Sequence, residues 1–344
     1  FRWYGETDSI PLDYIRQIPN MSGVVSSCYE VKVGEVWPIE SLKRQKQLCE
    51  DKGLKFEVIE SIPVHEDIKL GKPTRDKYIA NYIENIRRVA SIGVKVICYN
   101  FMPVFDWTRT NLHYQHADGS ESLSFSFDDF KKLDPKNLHL PGWDESYTSE
   151  ELNSLLDEYT NISHEQLFNN LVYFLNKIIP VCDELDVKMA IHPDDPPMDI
   201  FSLPRIISTE ADLDRLFEAV KSTNNGLTFC TGSLGARKDN DLVKMADKYS
   251  RANRIHFVHL RNICYTDNNN SFYESGHYSK TGSLPINKIV QVLVKNHFDG
   301  YVRPDHGRNI FGENKKPGYG LFDRALGCAY INGLFEAYQD SEDK

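Results

Sequence analysis

Four apolar runs in this chain each stop on a side chain able to hold a metal ion. Lys188-Met189-Ala190-Ile191 leads to His192, Leu227-Thr228-Phe229 to Cys230, Ile255-His256-Phe257-Val258 to His259, and Tyr301-Val302-Arg303-Pro304 to Asp305. Thiolate and imidazole suit Fe(II), Zn(II) or Co(II), and a carboxylate suits Mn(II) or Fe(II). Three or four such donors can leave positions open for a substrate, as catalysis requires. Each residue alone has an ordinary structural explanation: a histidine at a strand end, a cysteine in a core, an aspartate shaping a turn. Four of them ending successive strands do not. His306 directly follows Asp305 as a titratable imidazole, and Gly307 lets the backbone turn there.

Strands alternating with helices must bring these ends together. The strands are read at Arg2–Gly5, Gly23–Cys28, Phe56–Ser61, Val94–Asn100, Lys188–His192, Leu227–Cys230, Arg254–His259 and Tyr301–Asp305. Between and after them lie eight helical stretches. One carries Tyr78, Tyr82, Ile86 and Val89 on a single face, and another opens on the capping box Ser163-His164-Glu165-Gln166 and runs to about Leu185. This alternation predicts an α/β fold with parallel pairing and right-handed crossovers, closed as a (β/α)8 TIM barrel in one domain over residues 1–344. An open doubly wound sheet is the alternative, weakened because no Gly-x-Gly-x-x-Gly follows the first strand.

In such a barrel the active site lies at the C-terminal ends of the strands, and neighbouring strands are about 4.8 Å apart. The four donors, on strands five to eight, can therefore converge on one ion. Counting by twos puts Ile255, Phe257 and His259 on one face and leaves His256 on the other as a structural histidine. Residues 101–162 break the rhythm after the fourth strand. They hold an aromatic-rich segment, a hairpin around Ala117-Asp118-Gly119 and a short helix from about Ser149 to Glu158, and are expected to cap the C-terminal mouth. Glu35-Val36-Trp37 and His65-Glu66-Asp67 follow strands two and three and are expected to line that mouth.

Composition narrows the partners. A net charge of −10 over 344 residues disfavours nucleic acid and anionic membranes. No apolar run approaches the roughly 20 residues needed to cross a bilayer. Phe1-Arg2-Trp3-Tyr4 does not read as a signal peptide, and the missing initial Met reads as a trimmed terminus. Seven scattered cysteines without a Cys-x-x-Cys pair read as buried thiols of a cytoplasmic protein. Arg109, Arg205, Arg237, Arg261 and Arg303 are candidates to pair with a small anionic substrate. Asp194 and Asp195, after His192, are candidates to orient that ligand or hold hydroxyls.

Longer strings are also present: Arg2-Trp3-Tyr4-Gly5, Gly34-Glu35-Val36-Trp37, Glu60-Ser61-Ile62-Pro63-Val64-His65-Glu66-Asp67-Ile68 and Cys98-Tyr99-Asn100-Phe101-Met102-Pro103-Val104. They continue with Asp106-Trp107-Thr108-Arg109-Thr110, His192-Pro193-Asp194-Asp195-Pro196-Pro197, Cys230-Thr231-Gly232-Ser233, Val258-His259-Leu260-Arg261, Arg303-Pro304-Asp305-His306-Gly307 and Pro317-Gly318-Tyr319. Through these strings the chain, from Arg2 to its last helix, resembles the mannonate dehydratases, metal-dependent lyases of the xylose-isomerase-like barrel superfamily. The resemblance implies dehydration of D-mannonate to 2-keto-3-deoxy-D-gluconate in glucuronate catabolism, with one Mn(II) or Fe(II) per subunit. It places the metal ligands on His192, Cys230, His259 and Asp305 and the acid–base pair on His306 and Tyr319. The substrate contacts expected around them are Arg109, Asp194, Arg261 and Arg303. The chemistry would remove the C2 proton and expel the C3 hydroxyl. Unperturbed tyrosine titrates near 10 and histidine near 6.5, which favours Tyr319 as the acid. The partner is a hexonate, not nucleic acid or membrane, and the expected assembly is a homo-oligomer, a dimer. The rival readings are a sugar isomerase or other metal-dependent barrel enzyme, whose sites favour paired carboxylates, and a non-catalytic sugar-acid-binding protein.

Overall fold

The computed structural model describes residues 1–135, 148–266, 271–314 and 316–342. The part of the 101–162 segment at residues 136–147 lies outside the described residues. In chain order the strands are β1 Gly23–Ser26, β2 Lys55–Glu60, β3 Val96–Tyr99, β4 Asn111–Gln115, β5 Glu121–Phe125, β6 Lys188–Ile191, β7 Asn225–Cys230, β8 Ile255–Leu260, β9 Ile263–Tyr265, β10 Phe272–Glu274 and β11 Tyr301–Pro304.

Seven of them form one parallel sheet in the order β1-β2-β3-β6-β7-β8-β11. The sheet curls into a (β/α)8-type barrel. Side chains of β11, at one end of the order, reach β2 near the other: Tyr301 Oη donates to Glu57 over 3.0 Å and Arg303 Nη2 to Glu60 over 2.6 Å. The eighth expected strand, Arg2–Gly5, is reduced to a single parallel bridge between Arg2 and Val25. Beyond Trp3 the backbone turns away, because Tyr4 N–H is taken by the Asp8 carboxylate at 2.7 Å.

Two cores hold the barrel. Val25, Val58, Val96, Cys98, Ala190 and Phe257 fill its interior with Tyr301 packed against them, and a larger core lies between sheet and helices. One expectation of parity fails. The register runs from Leu227↔Ile255 to Thr228↔Phe257, so β8 carries one extra residue, His256. Ile255 therefore joins the outer core while Phe257 faces inward. His256 is structural, as read: Nε2 donates to the Thr223 carbonyl over 2.7 Å, and burial pushes its pKa down to about 4. Gly226 is required beside it, since an added Cβ would sit 2.2 Å from His256 Nε2 and 2.5 Å from the Arg254 carbonyl oxygen.

The helices follow the predicted rhythm, among them Arg75–Ser91 and His164–Leu185, the latter with the capping box formed by Ser163 and Gln166. The helix at Ser149–Tyr159 is also present. The Ala117-Asp118-Gly119 hairpin joins β4 and β5, but its sheet has two further strands: the order is β4-β5-β10-β9. Segments leaving β3 and β8 thus meet in one sheet. Two expectations for the mouth are corrected. His65 stacks on Tyr78 at 3.6 Å, and Glu66 is buried, paired with Lys69 at 2.7 Å and bonded to Tyr159 Oη. Trp37 is buried in the outer core, its N–H held by Asn85 Oδ1 at 2.7 Å.

Lys69 also donates to the Met102 carbonyl over 2.8 Å, so this buried pair fixes the chain just after β3. Lys69→Met leaves the Glu66 carboxylate buried without its cation. The expected cost is about 3–5 kcal/mol, read as a lowered urea midpoint.

Candidate active site

The strand ends meet as expected. Ligand atoms of His192, Cys230 and His259 all lie within 4.8 Å of one another. Asp305 Oδ2 stands 3.5 Å from Cys230 Sγ and 3.9 Å from His259 Nδ1. Strand register explains the convergence: Cys230 pairs with His259 across β7 and β8, and His259 with Arg303 across β8 and β11.

The state of these donors fits a metal ion. His259 is 1% exposed, yet neither ring nitrogen has a hydrogen-bond partner among the described residues. Its nearest charged neighbours are Glu60 Oε2 at 3.4 Å from Nε2 and the Asp305 oxygen. A buried imidazole left so costs free energy unless something else engages it. His192 Nδ1 donates to the Pro193 carbonyl over 2.7 Å. That bond leaves Nε2 with its lone pair. Burial lowers the His192 pKa and keeps the ring neutral. Ser233 Oγ donates to Cys230 Sγ over 3.1 Å.

A cavity of about 180 Å³ opens beside these donors, lined among others by Glu60, His192, Asp195, Arg303, His306 and Tyr319. His306 and Tyr319 face each other, with Nε2 and Oη 2.9 Å apart. Tyr319 arrives by a turn: Gly318 has a φ of 77°, a left-handed conformation that favours glycine. The Gly318 carbonyl accepts from Gly307 N–H over 2.9 Å. The Trp107 ring lies 5.8 Å from that of His306. A larger cavity of about 410 Å³ opens at the other end of the strands, beside Gly23, Lys55 and Gly300. No comparable donor cluster lies there among the described residues.

A chain of buried ion pairs surrounds the small cavity. Arg2 and Arg303 both hold Glu60 at 2.6 Å, Arg303 holds Asp305 at 2.9 Å, and Arg261 lies 3.5 Å from Asp305 and 2.8 Å from Asp195. Arg109 completes it, 2.9 Å from Asp195 and 2.7 Å from Glu274. Burial alone would raise these carboxyls, but the guanidiniums outweigh it. Glu60, beside Arg303 and Arg2, and Asp305, beside His306 and Arg303, are held well below the ordinary range. Asp195 is held low by Arg109 and Arg261, and Glu274 by Arg261 and Arg109.

Of the sequence candidates, Arg261 and Arg303 line the cavity. Arg109 stands behind its wall, and the Asp194 carboxylate turns away to Ile207 N–H at 2.7 Å and Ser208 Oγ at 2.8 Å. Asp195 faces the cavity in its place. Burial raises the Asp194 carboxyl. Sequence reasoning missed Glu274, on β10 in a stretch with no motif, and the role of Arg2.

The whole chain, residues 1–344, matches the family model described as D-mannonate dehydratase (UxuA). The chain belongs to the mannonate dehydratase family. It is accordingly a hydro-lyase that dehydrates D-mannonate. The mannonate dehydratase of Streptococcus uberis is 50% identical over 339 residues, covering 98% of this chain and 97% of the relative. The crystal structure of mannonate dehydratase from Streptococcus suis serotype 2 superposes with a TM-score of 0.93 at 46% identity, over 100% of this chain and 95% of that one. A xylose isomerase-like TIM barrel protein from Mycobacterium smegmatis, solved in complex with magnesium, has a TM-score of 0.56 at 12% identity, covering 95% of this chain and 88% of that one; it shares the fold.

The lowered carboxyls make a mannonate dehydratase of this design acid-sensitive. Their folded pKa values lie below the unfolded ones, so their stabilisation is full above the unfolded carboxylate range of about 4–5 and is lost as pH falls through the folded values. Asp194, raised by burial, acts in the opposite sense but alone. Urea midpoints should therefore fall steeply below about pH 5, and Glu60→Gln should flatten that slope.

Proposed function

We propose that His306 and Tyr319 carry the proton transfers of D-mannonate dehydration, beside one divalent ion, Mn(II) or Fe(II), held by His192, Cys230, His259 and Asp305. The supporting observation is the 2.9 Å contact between His306 Nε2 and Tyr319 Oη in the cavity that the donor cluster adjoins. When bound, the ion would neutralise the substrate carboxylate and the charge that develops beside it.

The residues divide the remaining work. His306 Nε2 takes the proton from C2, whose electron pair forms the C2–C3 double bond as the C3–O bond breaks. Tyr319 Oη gives its proton to the departing hydroxyl, which leaves as water. His306 then returns its proton to Tyr319 across their contact, and the enol becomes 2-keto-3-deoxy-D-gluconate by gaining a proton at C3 and losing one from the C2 hydroxyl. Tyr319 suits the acid role: burial and the Asp305 charge raise its pKa, so it holds its proton. Arg261 and Arg303 orient the hexonate from the cavity wall, and Arg109 and Asp194 support that wall from behind.

Residues 101–162 are the capping insertion of a single-domain barrel, supported by the four-stranded sheet and by Trp107 beside His306. The enzyme works in the cytoplasm, a setting suited to free cysteines such as the seven here; among the described residues no helix is long and apolar enough to cross a membrane. It assembles as a homodimer through the exposed apolar group of Phe311, Phe322 and Leu326, the kind of patch that marks an interaction site.

Tyr319→Phe and His306→Gln should each retain bound metal and lose at least about 100-fold in turnover, scored as 2-keto acid formed from D-mannonate. Near-normal turnover in both would remove the pair from the mechanism. Cys230→Ser replaces a thiolate by a hydroxyl, and should lower metal content and alter the order of activation by Mn(II), Fe(II) and Zn(II). Unchanged content and order would exclude Cys230 as a ligand.

A further inference from the structure

We infer that Glu274 is a positioning residue for the dehydration, its carboxylate holding the proton of His306 on Nδ1 so that Nε2 faces Tyr319 and the substrate as a bare base. The inference rests on the roles proposed above for His306 and Tyr319. Glu274 lies on β10, in the four-stranded sheet outside the barrel, and is fully buried. Its Oε1 stands 3.2 Å from His306 Nδ1 and also accepts from Arg109, over 2.7 Å from Nη2 and 3.2 Å from Nε.

The direction of the His306 contact follows from charge. Arg261 and Arg109 keep Glu274 ionised against the effect of burial. An ionised carboxylate only accepts hydrogen bonds, so Nδ1 must supply the proton. A competing donor is present: Arg261 Nη1 lies 3.4 Å from Nδ1. That guanidinium nitrogen has a closer acceptor in Asp195 Oδ2 at 2.8 Å. A bare Nδ1 would also set its lone pair against Oε1 at 3.2 Å. In the neutral ring a proton on Nδ1 leaves Nε2 to accept from Tyr319 Oη at 2.9 Å. Carboxylate, imidazole and phenol then form one oriented series.

Simple neutralisation of the two arginines is the rival explanation. It accounts poorly for the geometry, because Oε2 has no hydrogen-bond partner among the described residues and stands 3.5 Å from Arg261 Nε, while Oε1 serves both Arg109 and His306. Glu274→Gln, His306→Gln and the double variant separate the two. With metal content and melting temperature matched to the parent, Glu274→Gln should lower kcat by about 10- to 100-fold, the range for groups that orient a reacting residue, with KM for D-mannonate little changed. In the double variant the loss should be no larger than for His306→Gln alone, since the group Glu274 acts through is already gone. Losses that multiply, or a normal kcat in Glu274→Gln while His306→Gln is inactive, would overturn the role of Glu274. Full turnover in His306→Gln would instead overturn the assignment of His306 itself. Should Glu274→Gln fold poorly, Glu274→Asp keeps the charge for the arginines while drawing the carboxylate back from His306. It is expected to melt normally and lose kcat, and normal kcat there would equally refute the inference.

Discussion

Alternating charges at the mouth of the barrel hold this site together. Arg2, Glu60, Arg303, Asp305, Arg261, Asp195, Arg109 and Glu274 follow one another as cation and anion, each 2.6–3.5 Å from the next. Removing such groups from water costs several kcal/mol per ion, recovered only where pairing and hydrogen bonding are close to complete. Loss of an interior member strands the neighbours on both sides, whereas Glu274, at the end, leaves Arg109 and Arg261 still paired with Asp195. The series therefore fixes positions rather than adding much net stability. Two histidines of the proposed site touch it directly: His259 at Glu60, and His306 at Glu274.

The barrel supplies this arrangement because its strand ends are in register. Cys230, His259 and Arg303 are Cα partners across three adjacent strands. One face at that height presents a thiol, an imidazole and a guanidinium, and Asp305 follows two residues on. The second sheet then brings Glu274 in from outside the barrel, and Arg109 reaches it from the chain that leaves β3. Barrel and outer sheet share one buried electrostatic unit, so packing of the outer sheet bears on the position of His306 through Glu274.

Much of this was legible in the sequence because it obeys local rules. Apolar runs ending in His192, Cys230, His259 and Asp305 specify strand, face and height together, which is the information a convergent site needs. Where a local rule bends, the reading failed. The extra residue at His256 shifts the face of Ile255, and nothing in Arg254–His259 signals a bulge. Arg2–Gly5 has strand composition, yet the Asp8 carboxylate takes the Tyr4 N–H and leaves one bridge. His65-Glu66-Asp67 follows a strand end, but the nearby Lys69 draws Glu66 into the interior. Glu274 was out of reach: its importance arises from pairing with residues 165 and 32 positions away, and a three-residue strand carries no periodic signal.

We propose one ion on the four strand ends, within reach of the His306–Tyr319 pair. Anomalous diffraction from crystals of the Tyr319→Phe enzyme grown with Mn(II) and D-mannonate measures it most directly. A single manganese peak is expected about 2.0–2.3 Å from His192, Cys230, His259 and Asp305, with C2 of the substrate next to His306 and its C3 hydroxyl next to the ring of residue 319. A manganese peak away from these four residues, or a hexonate whose C2 and C3 point away from His306 and residue 319, would contradict it.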